Sequence, residues 1–337
     1  MKIRDEVKRL KPYDPGEIEA PVKLNKNESP FPLPEGLKKE ILSDLAKLSF
    51  NRYPEATGAS LREKLADFHG LEQENVIVGS GSDQLISYSV QLFSGEQVIT
   101  TPPTFSMYRF YSEVNGLKIN PVPLGSDFGL RPEEIKDNME DTAAVFLCSP
   151  NNPTGNLIDR AEIVEILNTG VALVLDEAYG EFAGESNMDL IQEYDNLLVL
   201  RTFSKAFGLA GTRVGYALGQ KSLIDYMLRV KPPYNLNSIS LRMAEIILEN
   251  YETVRERVEF IVDERERIYR NFEEICYPSR ANFLLLDIAA GDFFRERGVA
   301  VRTFTGRLAD KIRITVGTRE ENNRVIELLE EYREERA

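Results

Sequence analysis

Short apolar runs alternate with amphipathic segments through the first two thirds of the chain. The runs are nearly continuous in apolar residues, which is typical of strands buried on both faces of a largely parallel sheet. They cover residues 76–78, 97–100, 143–148, 171–175 and 197–200. Helical periodicity is found at 35–47, 58–69 and 160–168. This alternation predicts an α/β domain with a mostly parallel central sheet flanked by helices.

The pattern changes towards both ends of the chain. Residues 238–274 form a long, charged helical stretch, and short strand patterns at 283–287 and 311–316 mix with helices after it, including one that begins near residue 319. This mixture predicts a smaller α+β domain. Residues 1–35 are rich in proline and predict an extended arm and loop. We therefore predict a large domain at 29–237 and a second unit formed by the arm, 1–28, and by residues 238–337.

Composition narrows the classes of function. A chain of 337 residues is long enough for two domains, and its formal charge of −14 argues against non-specific binding to nucleic acid. No apolar run is long enough to cross a bilayer, and the charged N-terminus does not resemble a signal peptide. The chain has one histidine and two cysteines that are far apart in sequence, which argues against a metal site and against a disulfide framework. The expected location is the cytoplasm.

Four polar loops each follow a predicted strand. Taken alone, each has an ordinary explanation as a turn, a helix cap or a surface lysine. The loops are Gly-Ser-Gly-Ser-Asp at 79–83, Ser-Pro-Asn-Asn-Pro-Thr-Gly at 149–155, Asp-Glu-Ala-Tyr at 176–179, and the stretch 202–213, which contains Ser204, Lys205 and Arg213. Because each follows a buried strand, all four are expected at one edge of the same sheet, where α/β proteins bind ligands.

The residue types in these loops suit a phosphorylated aldehyde cofactor. An amine such as that of Lys205 can attack an aldehyde once its pKa is depressed. The hydroxyls of Thr202 and Ser204, together with Arg213, suit a phosphate group. Asp176 at a strand end suits a protonated pyridine nitrogen, although a helix cap explains it equally well.

In this order, the motifs resemble those of the aspartate-aminotransferase superfamily, the fold-type I enzymes of pyridoxal phosphate. The match extends from about residue 24 to the C-terminus. The resemblance implies the fold of that superfamily, a large domain with a mostly parallel sheet and a smaller α+β domain. It also implies amino-group transfer with pyridoxal 5'-phosphate, which is joined to Lys205.

The resemblance assigns a role to each matching residue. It implies that Lys205 also moves the substrate proton, that Asp176 pairs with the pyridine nitrogen and that Phe105 stacks on the ring. The residues expected to contact the cofactor phosphate are Ser82, Asp83, Thr202, Ser204 and Arg213. Asn152 and Tyr179 are expected to contact the phenolic oxygen of the cofactor. Arg313 is expected to bind the α-carboxylate of the substrate. The stretch 51–54 resembles the segment that reaches across a homodimer, so Tyr53 is expected in the active site of the neighbouring subunit. If the family resemblance is set aside, a tyrosine buried in the core is the simpler interpretation.

Within the superfamily, the chain is most similar to histidinol-phosphate aminotransferases. The stretches 24–30, 51–54 and 312–320 carry this likeness, together with Arg302. It implies histidinol phosphate and glutamate or 2-oxoglutarate as substrates, with Arg313 binding the phosphate of one and the α-carboxylate of the other. Arg302 is then a second phosphate ligand, unless it is an ordinary solvated arginine. Further expected substrate contacts are Tyr13, Asn27 and Asn152.

Other activities remain open at this point. A threonine-phosphate decarboxylase shares the same phosphate-binding layout, and a broad or aromatic aminotransferase shares the motifs. A regulator that senses the cofactor would need a DNA-binding segment, for which the chain has no room. His69 before Gly70 is expected to end a helix, and Cys148 and Cys276 are expected to be packing residues.

Overall fold

A seven-stranded sheet lies at the centre of the fold, in a computed structural model that describes residues 1–12, 16 and 19–336. The strands of the described chain are β1 Val22–Lys23, β2 Val76–Ser80, β3 Gln97–Thr100, β4 Lys118–Pro121, β5 Thr142–Cys148, β6 Leu173–Asp176, β7 Leu197–Thr202, β8 Val214–Gly219, β9 Phe283–Leu286, β10 Val299–Ala300, β11 Arg302–Thr303 and β12 Ile312–Thr315. The order in the sheet is β2-β8-β7-β6-β5-β3-β4. Only β8 runs antiparallel to its neighbours. The carboxyl ends of β2, β5, β6 and β7 therefore meet at the edge where β8 begins.

Helices cover both faces of this sheet. The helices are α1 Asp5–Arg9, α2 Glu35–Leu45, α3 Ala59–His69, α4 Gly81–Leu92, α5 Met107–Val114, α6 Pro132–Asp137, α7 Arg160–Leu167, α8 Gly180–Ala183, α9 Lys221–Val230, α10 Ser238–Glu249, α11 Tyr251–Asn271, α12 Gly291–Glu296 and α13 Arg319–Glu334. Side chains along β5 alternate between two apolar cores, with Val145 and Leu147 in one and Phe146 and Cys148 in the other. Because successive side chains of a strand point to opposite faces, neither face of the sheet is left to solvent.

A second, smaller sheet lies in the C-terminal part of the chain. It is antiparallel, with the order β11-β12-β9, and its core includes Phe272, Leu286, Ile314 and Leu328. Leu24 belongs to the same core, because β1 pairs in parallel with β10. The N-terminal segment is thus built into the C-terminal part of the fold. The domain bounds drawn from the sequence stay a prediction.

The elements agree with most of the sequence pattern and depart from it in four places. The α/β class with a mostly parallel sheet is confirmed. The helical stretch 238–274 is interrupted at Asn250, so α10 and α11 are separate helices. The arm 1–35 is not wholly irregular, because it contains α1 and β1. The edge strand β4 and the antiparallel strand β8 were not anticipated. None of the described helices is long and apolar enough to cross a membrane.

Candidate active site

The four polar loops meet in one cavity of about 1000 Å³. All but two of the predicted site residues line it: Asn27, Ser82, Asp83, Phe105, Asn152, Asp176, Tyr179, Thr202, Ser204, Lys205, Arg213, Arg302 and Arg313. The exceptions are Tyr53, which lies elsewhere, and Tyr13, which is outside the described residues. The sheet edge and the C-terminal part of the chain both contribute to the walls.

Lys205 is a half-buried amine in this cavity. Its Nζ donates a hydrogen bond to the backbone oxygen of Lys26 over 3.1 Å and lies 5.8 Å from the centre of the Tyr179 ring. Burial, reinforced by the charge of Arg313, lowers the pKa of Lys205 to about 8. About a tenth of the amine is therefore neutral at pH 7, compared with well under about a thousandth for an ordinary lysine, and the neutral form is the one that a nucleophile or base requires.

Asp176 ends β6 as a buried carboxylate, with 3% of its surface exposed. Oδ2 accepts a hydrogen bond from the Tyr108 hydroxyl over 2.7 Å, and Oδ1 accepts one from the Ala178 backbone N–H over 3.1 Å. Burial raises the pKa of Asp176 to about 6. Tyr179, not Asp176, occupies the N-cap position of α8, so the helix-cap alternative is wrong. A buried carboxylate paired with no arginine or lysine among the described residues suits a cation brought by a ligand, such as a protonated pyridine ring.

A cradle formed by Gly81, Asp83 and Arg213 lies where β2 meets α4. The Arg213 guanidinium is 3.1 Å from the Asp83 carboxylate and lies directly over Gly81, where a Cβ atom would meet it at 2.6 Å. A Cβ atom on Gly215 would meet the backbone nitrogen of Ser82 at 2.3 Å, so glycine at 215 permits a close approach of β8 to α4 that other residues would block.

The donors around this cradle fit the phosphate of pyridoxal phosphate. The N-terminal turn of α4 supplies backbone N–H groups at Ser82 and Asp83. Thr202 and Ser204 bring hydroxyl groups to the same cavity, and Arg213 brings a cation. This set, with Lys205 and Asp176 nearby, fits the two ends of such a cofactor.

Arg313 connects the smaller sheet to the loops of the larger one. Its guanidinium donates to the Asn152 side-chain oxygen, donates to the Asn25 backbone oxygen over 2.8 Å, and lies 5.1 Å from the Phe283 ring. Asn27 in turn donates to the Tyr179 hydroxyl over 3.0 Å. The predicted substrate residue Asn27 thus contacts a residue expected at the cofactor.

The cavity is cationic although the protein is acidic. Among the described residues, its walls carry seven basic side chains against two carboxylates, those of Asp83 and Asp176. The basic residues are Lys26, Arg109, Lys205, Arg213, Arg302, Arg307 and Arg313. Such a surplus favours ligands that bring more than one anionic group. Sequence reasoning missed Lys26, Arg109 and Arg307, because nothing in their local pattern separates them from solvated surface residues.

A buried ion-pair cluster lies beneath the loop that carries Asp176 and Tyr179. Arg201 binds Glu177 and Glu181, each over 2.9 Å, and all three side chains are almost fully buried. A Cβ atom on Gly180 would meet the Arg201 guanidinium at 2.8 Å, so a larger residue there would have to displace the guanidinium from its buried ion pairs. The cluster holds the loop against β7 and was not anticipated from the sequence.

Tyr53 lies outside the cavity. It is 83% exposed and stacks on Tyr234 with 4.7 Å between ring centres. The simpler interpretation of a core tyrosine is therefore wrong. Its role in a neighbouring subunit stays a prediction.

Comparison with known proteins places the chain among transaminases. The family model described as aminotransferase class I and II matches residues 19–329. A histidinol-phosphate aminotransferase of Pyrococcus furiosus is 46% identical over 99% of this chain and 98% of its own length.

Two solved structures resemble the fold. The histidinol-phosphate aminotransferase of Sinorhizobium meliloti in complex with pyridoxal-5'-phosphate has a TM-score of 0.86 at 24% identity, covering 95% of this chain and 92% of that one. The L-threonine-O-3-phosphate decarboxylase of Porphyromonas gingivalis has a TM-score of 0.81 at 23% identity, covering 93% of this chain and 99% of that one. Because proteins with either name share the fold, the fold alone does not select the reaction.

Proposed function

The chain belongs to the class I and II aminotransferases, and within them to the histidinol-phosphate aminotransferases, and we propose that it transfers the amino group of histidinol phosphate to 2-oxoglutarate. The products are imidazole acetol phosphate and glutamate, so the reaction is a step of histidine biosynthesis. Pyridoxal phosphate is the cofactor of this transaminase. The observation that carries the substrate proposal is the cationic cavity, in which Arg302 and Arg313 are direct neighbours.

The residues of the cavity divide into those that hold the cofactor and those that act on the substrate. When bound, pyridoxal phosphate withdraws electrons from the substrate Cα–H bond and makes its proton removable. Arg213, with the N-terminal turn of α4, would hold the phosphate end, and Asp176 would pair with the pyridine nitrogen. The neutral amine of Lys205 takes the proton from the substrate Cα, which its lowered pKa favours.

We assign the binding of the anionic groups of the substrates to arginines of the smaller sheet. A planar guanidinium binds carboxylate or phosphate through two parallel hydrogen bonds, so Arg313 can serve either anion in turn. Arg302 adds a second positive charge for the phosphate, which carries more charge than the α-carboxylate of glutamate. Asn152 orients Arg313 through its side-chain oxygen. We include Asn27 and Tyr13 among the proposed substrate contacts.

We further propose a cytoplasmic homodimer in which Tyr53 reaches the cofactor phosphate of the neighbouring subunit. Tyr53 is exposed and absent from the cavity of its own chain, and Phe50 and Tyr234 are also exposed aromatics. Exposed aromatic residues are enriched at the centres of subunit interfaces. The two free cysteines are both buried, which is compatible with a reducing compartment.

A half-reaction tests the substrate assignment. Holoenzyme is mixed with histidinol phosphate without an acceptor, and conversion of the cofactor to its pyridoxamine form is followed by absorbance. Rapid conversion, reversed by 2-oxoglutarate, is the expected result. Binding without conversion would overturn the proposal. Release of carbon dioxide from phosphothreonine would instead support a threonine-phosphate decarboxylase, and faster conversion by aromatic amino acids would support a broad aminotransferase.

A further inference from the structure

We propose that Tyr108 is a positioning residue for the cofactor, whose phenol keeps the Asp176 carboxylate ionised and oriented towards the pyridine nitrogen. Tyr108 lies on α5 and is fully buried, and its hydroxyl donates to Asp176 Oδ2 over 2.7 Å. It is the only side chain of the described residues with a hydrogen bond to that carboxylate. The inference concerns the cofactor alone and holds whichever substrate the enzyme uses.

The Tyr108 ring is fixed by two other aromatic rings. It stacks on Phe146 with 5.2 Å between ring centres and an interplanar angle of 18°. The ring of Phe105, the residue expected to stack on the cofactor, packs edge-on against it at 5.6 Å. A fixed phenol cannot swing away from Asp176, so one residue supports two cofactor contacts.

The titratable groups that face Asp176 come from three other elements and from its own loop. They are Tyr108 from α5, Cys148 from β5, Asp83 from α4, and Glu177 and Tyr179 from the loop of Asp176 itself. Glu177 pairs with Arg201 at 2.9 Å and Asp83 pairs with Arg213 at 3.1 Å, so a cation faces each of these two carboxylates. Burial raises the pKa of the Cys148 thiol, which stays neutral.

Tyr108 is therefore the group that most opposes the effect of burial on Asp176. Burial raises the pKa of Asp176 to about 6, and the Tyr108 hydrogen bond acts in the opposite direction. Removing that bond moves the pKa of Asp176 further up. The carboxylate is charged above its pKa, so affinity for a protonated pyridine falls as pH falls through that value. Loss of Tyr108 should move this fall to higher pH.

The experiment measures the dissociation constant of pyridoxal phosphate from the apoenzyme between pH 5 and pH 9. Tyr108→Phe removes only the hydroxyl, and we expect the acid-side loss of affinity to move up by about one pH unit. Near pH 6 the affinity should fall about fivefold relative to the parent, and near pH 5 about tenfold, with little change at pH 8.5. The cofactor phosphate itself titrates at about pH 6 in every variant. The difference in midpoint between two variants therefore reports the change in the pKa of Asp176 alone.

Three further variants keep the test decisive. Tyr216→Phe removes another fully buried phenol, one that bonds to His69, and should leave the pH dependence of cofactor affinity unchanged. Replacing Tyr108 by 3-fluorotyrosine makes the phenol a stronger donor and should move the midpoint down, without any question of folding. A Tyr108→Phe midpoint equal to that of the parent, or an equal shift in Tyr216→Phe, would overturn the proposal. In an Asp176→Asn background, Tyr108→Phe should have no added effect.

Discussion

Arg302 and Arg313 are directly opposite each other in the antiparallel pair of β11 and β12, and both line the same cavity. Like charges at directly opposed positions of a sheet are destabilising. An anion bound beside them removes this cost, which makes the pair suited to a phosphate group. The family resemblance implied that both arginines bind one phosphate; the structure adds that they are opposed in one small sheet.

Arg302→Ala should weaken binding of the phosphorylated substrate far more than binding of glutamate. Losing one charged hydrogen-bonding partner costs about 1.5–3 kcal/mol of binding free energy. This corresponds to a rise of roughly ten- to a hundredfold in KM for histidinol phosphate. Steady-state kinetics with each substrate varied in turn measures the difference. Arg324→Ala, an exposed arginine paired with Glu327 on α13, is a matched control that should leave both KM values unchanged. Equal losses for both substrates would count against a phosphate role for Arg302.

The rate at which the apoenzyme takes up pyridoxal phosphate should rise with pH, reach half of its maximum near pH 8 and level off about one pH unit above that value. The neutral amine is the nucleophile, and burial lowers the pKa of Lys205 to about 8. An ordinary lysine has a pKa of about 10.4, so its rate would continue to rise through pH 10. Stopped-flow absorbance measures the uptake, with Lys205→Ala as the blank. Arg313→Met should move the plateau to higher pH, since the charge of Arg313 helps to lower the pKa of Lys205.

Mixed dimers should show whether Tyr53 acts in the neighbouring site. Lys205→Ala subunits lack the amine, and Tyr53→Ala subunits should bind the cofactor weakly. In a hybrid of the two, the site that keeps Lys205 receives an intact Tyr53 from its partner subunit, so cofactor affinity and activity should recover at that site. Recovery is measured on hybrids separated by two affinity tags. No recovery would place Tyr53 in its own site or in none, and a monomer in sedimentation would exclude the arrangement.

Arg201→Met should destabilise the apoenzyme by about 3–5 kcal/mol, because it leaves Glu177 and Glu181 buried without their cation. Urea unfolding followed by circular dichroism measures the change. Arg160→Met breaks an exposed pair with Asp189 and should cost about 1 kcal/mol or less. Similar losses for the two variants would mean that the buried cluster contributes little.

Sequence patterns located the large sheet because its strands are apolar on both faces. β3 was predicted with its observed bounds, and β6 begins at Leu173, two residues after the predicted run began. β4 carries Lys118, Asn120 and Pro121 at the edge of the sheet, so burial imposed no apolar pattern on it. β8 contains two glycines and directly follows the loop that carries Arg213, so its sequence does not show a continuous apolar run.

The site residues were largely predictable, whereas the contacts between them were not. Residues such as Lys205 and Asp176 belong to local motifs that follow strands. The bond between Tyr108 and Asp176 joins residues 68 positions apart, and no local pattern records it. The cluster around Arg201 was missed for the same reason, since a single arginine in an apolar strand does not reveal its partners.

Asn27 and Thr315 have a consequence for how the enzyme is made. They bond to each other twice, over 3.0 and 3.1 Å, across 288 positions of sequence. The Asn27 side chain also donates to Tyr179. During synthesis on the ribosome, the wall of the cavity that contains Asn27 cannot close until β12 has emerged. The larger sheet can form earlier, so nascent chains should bind the cofactor with full affinity only in the last stage of translation.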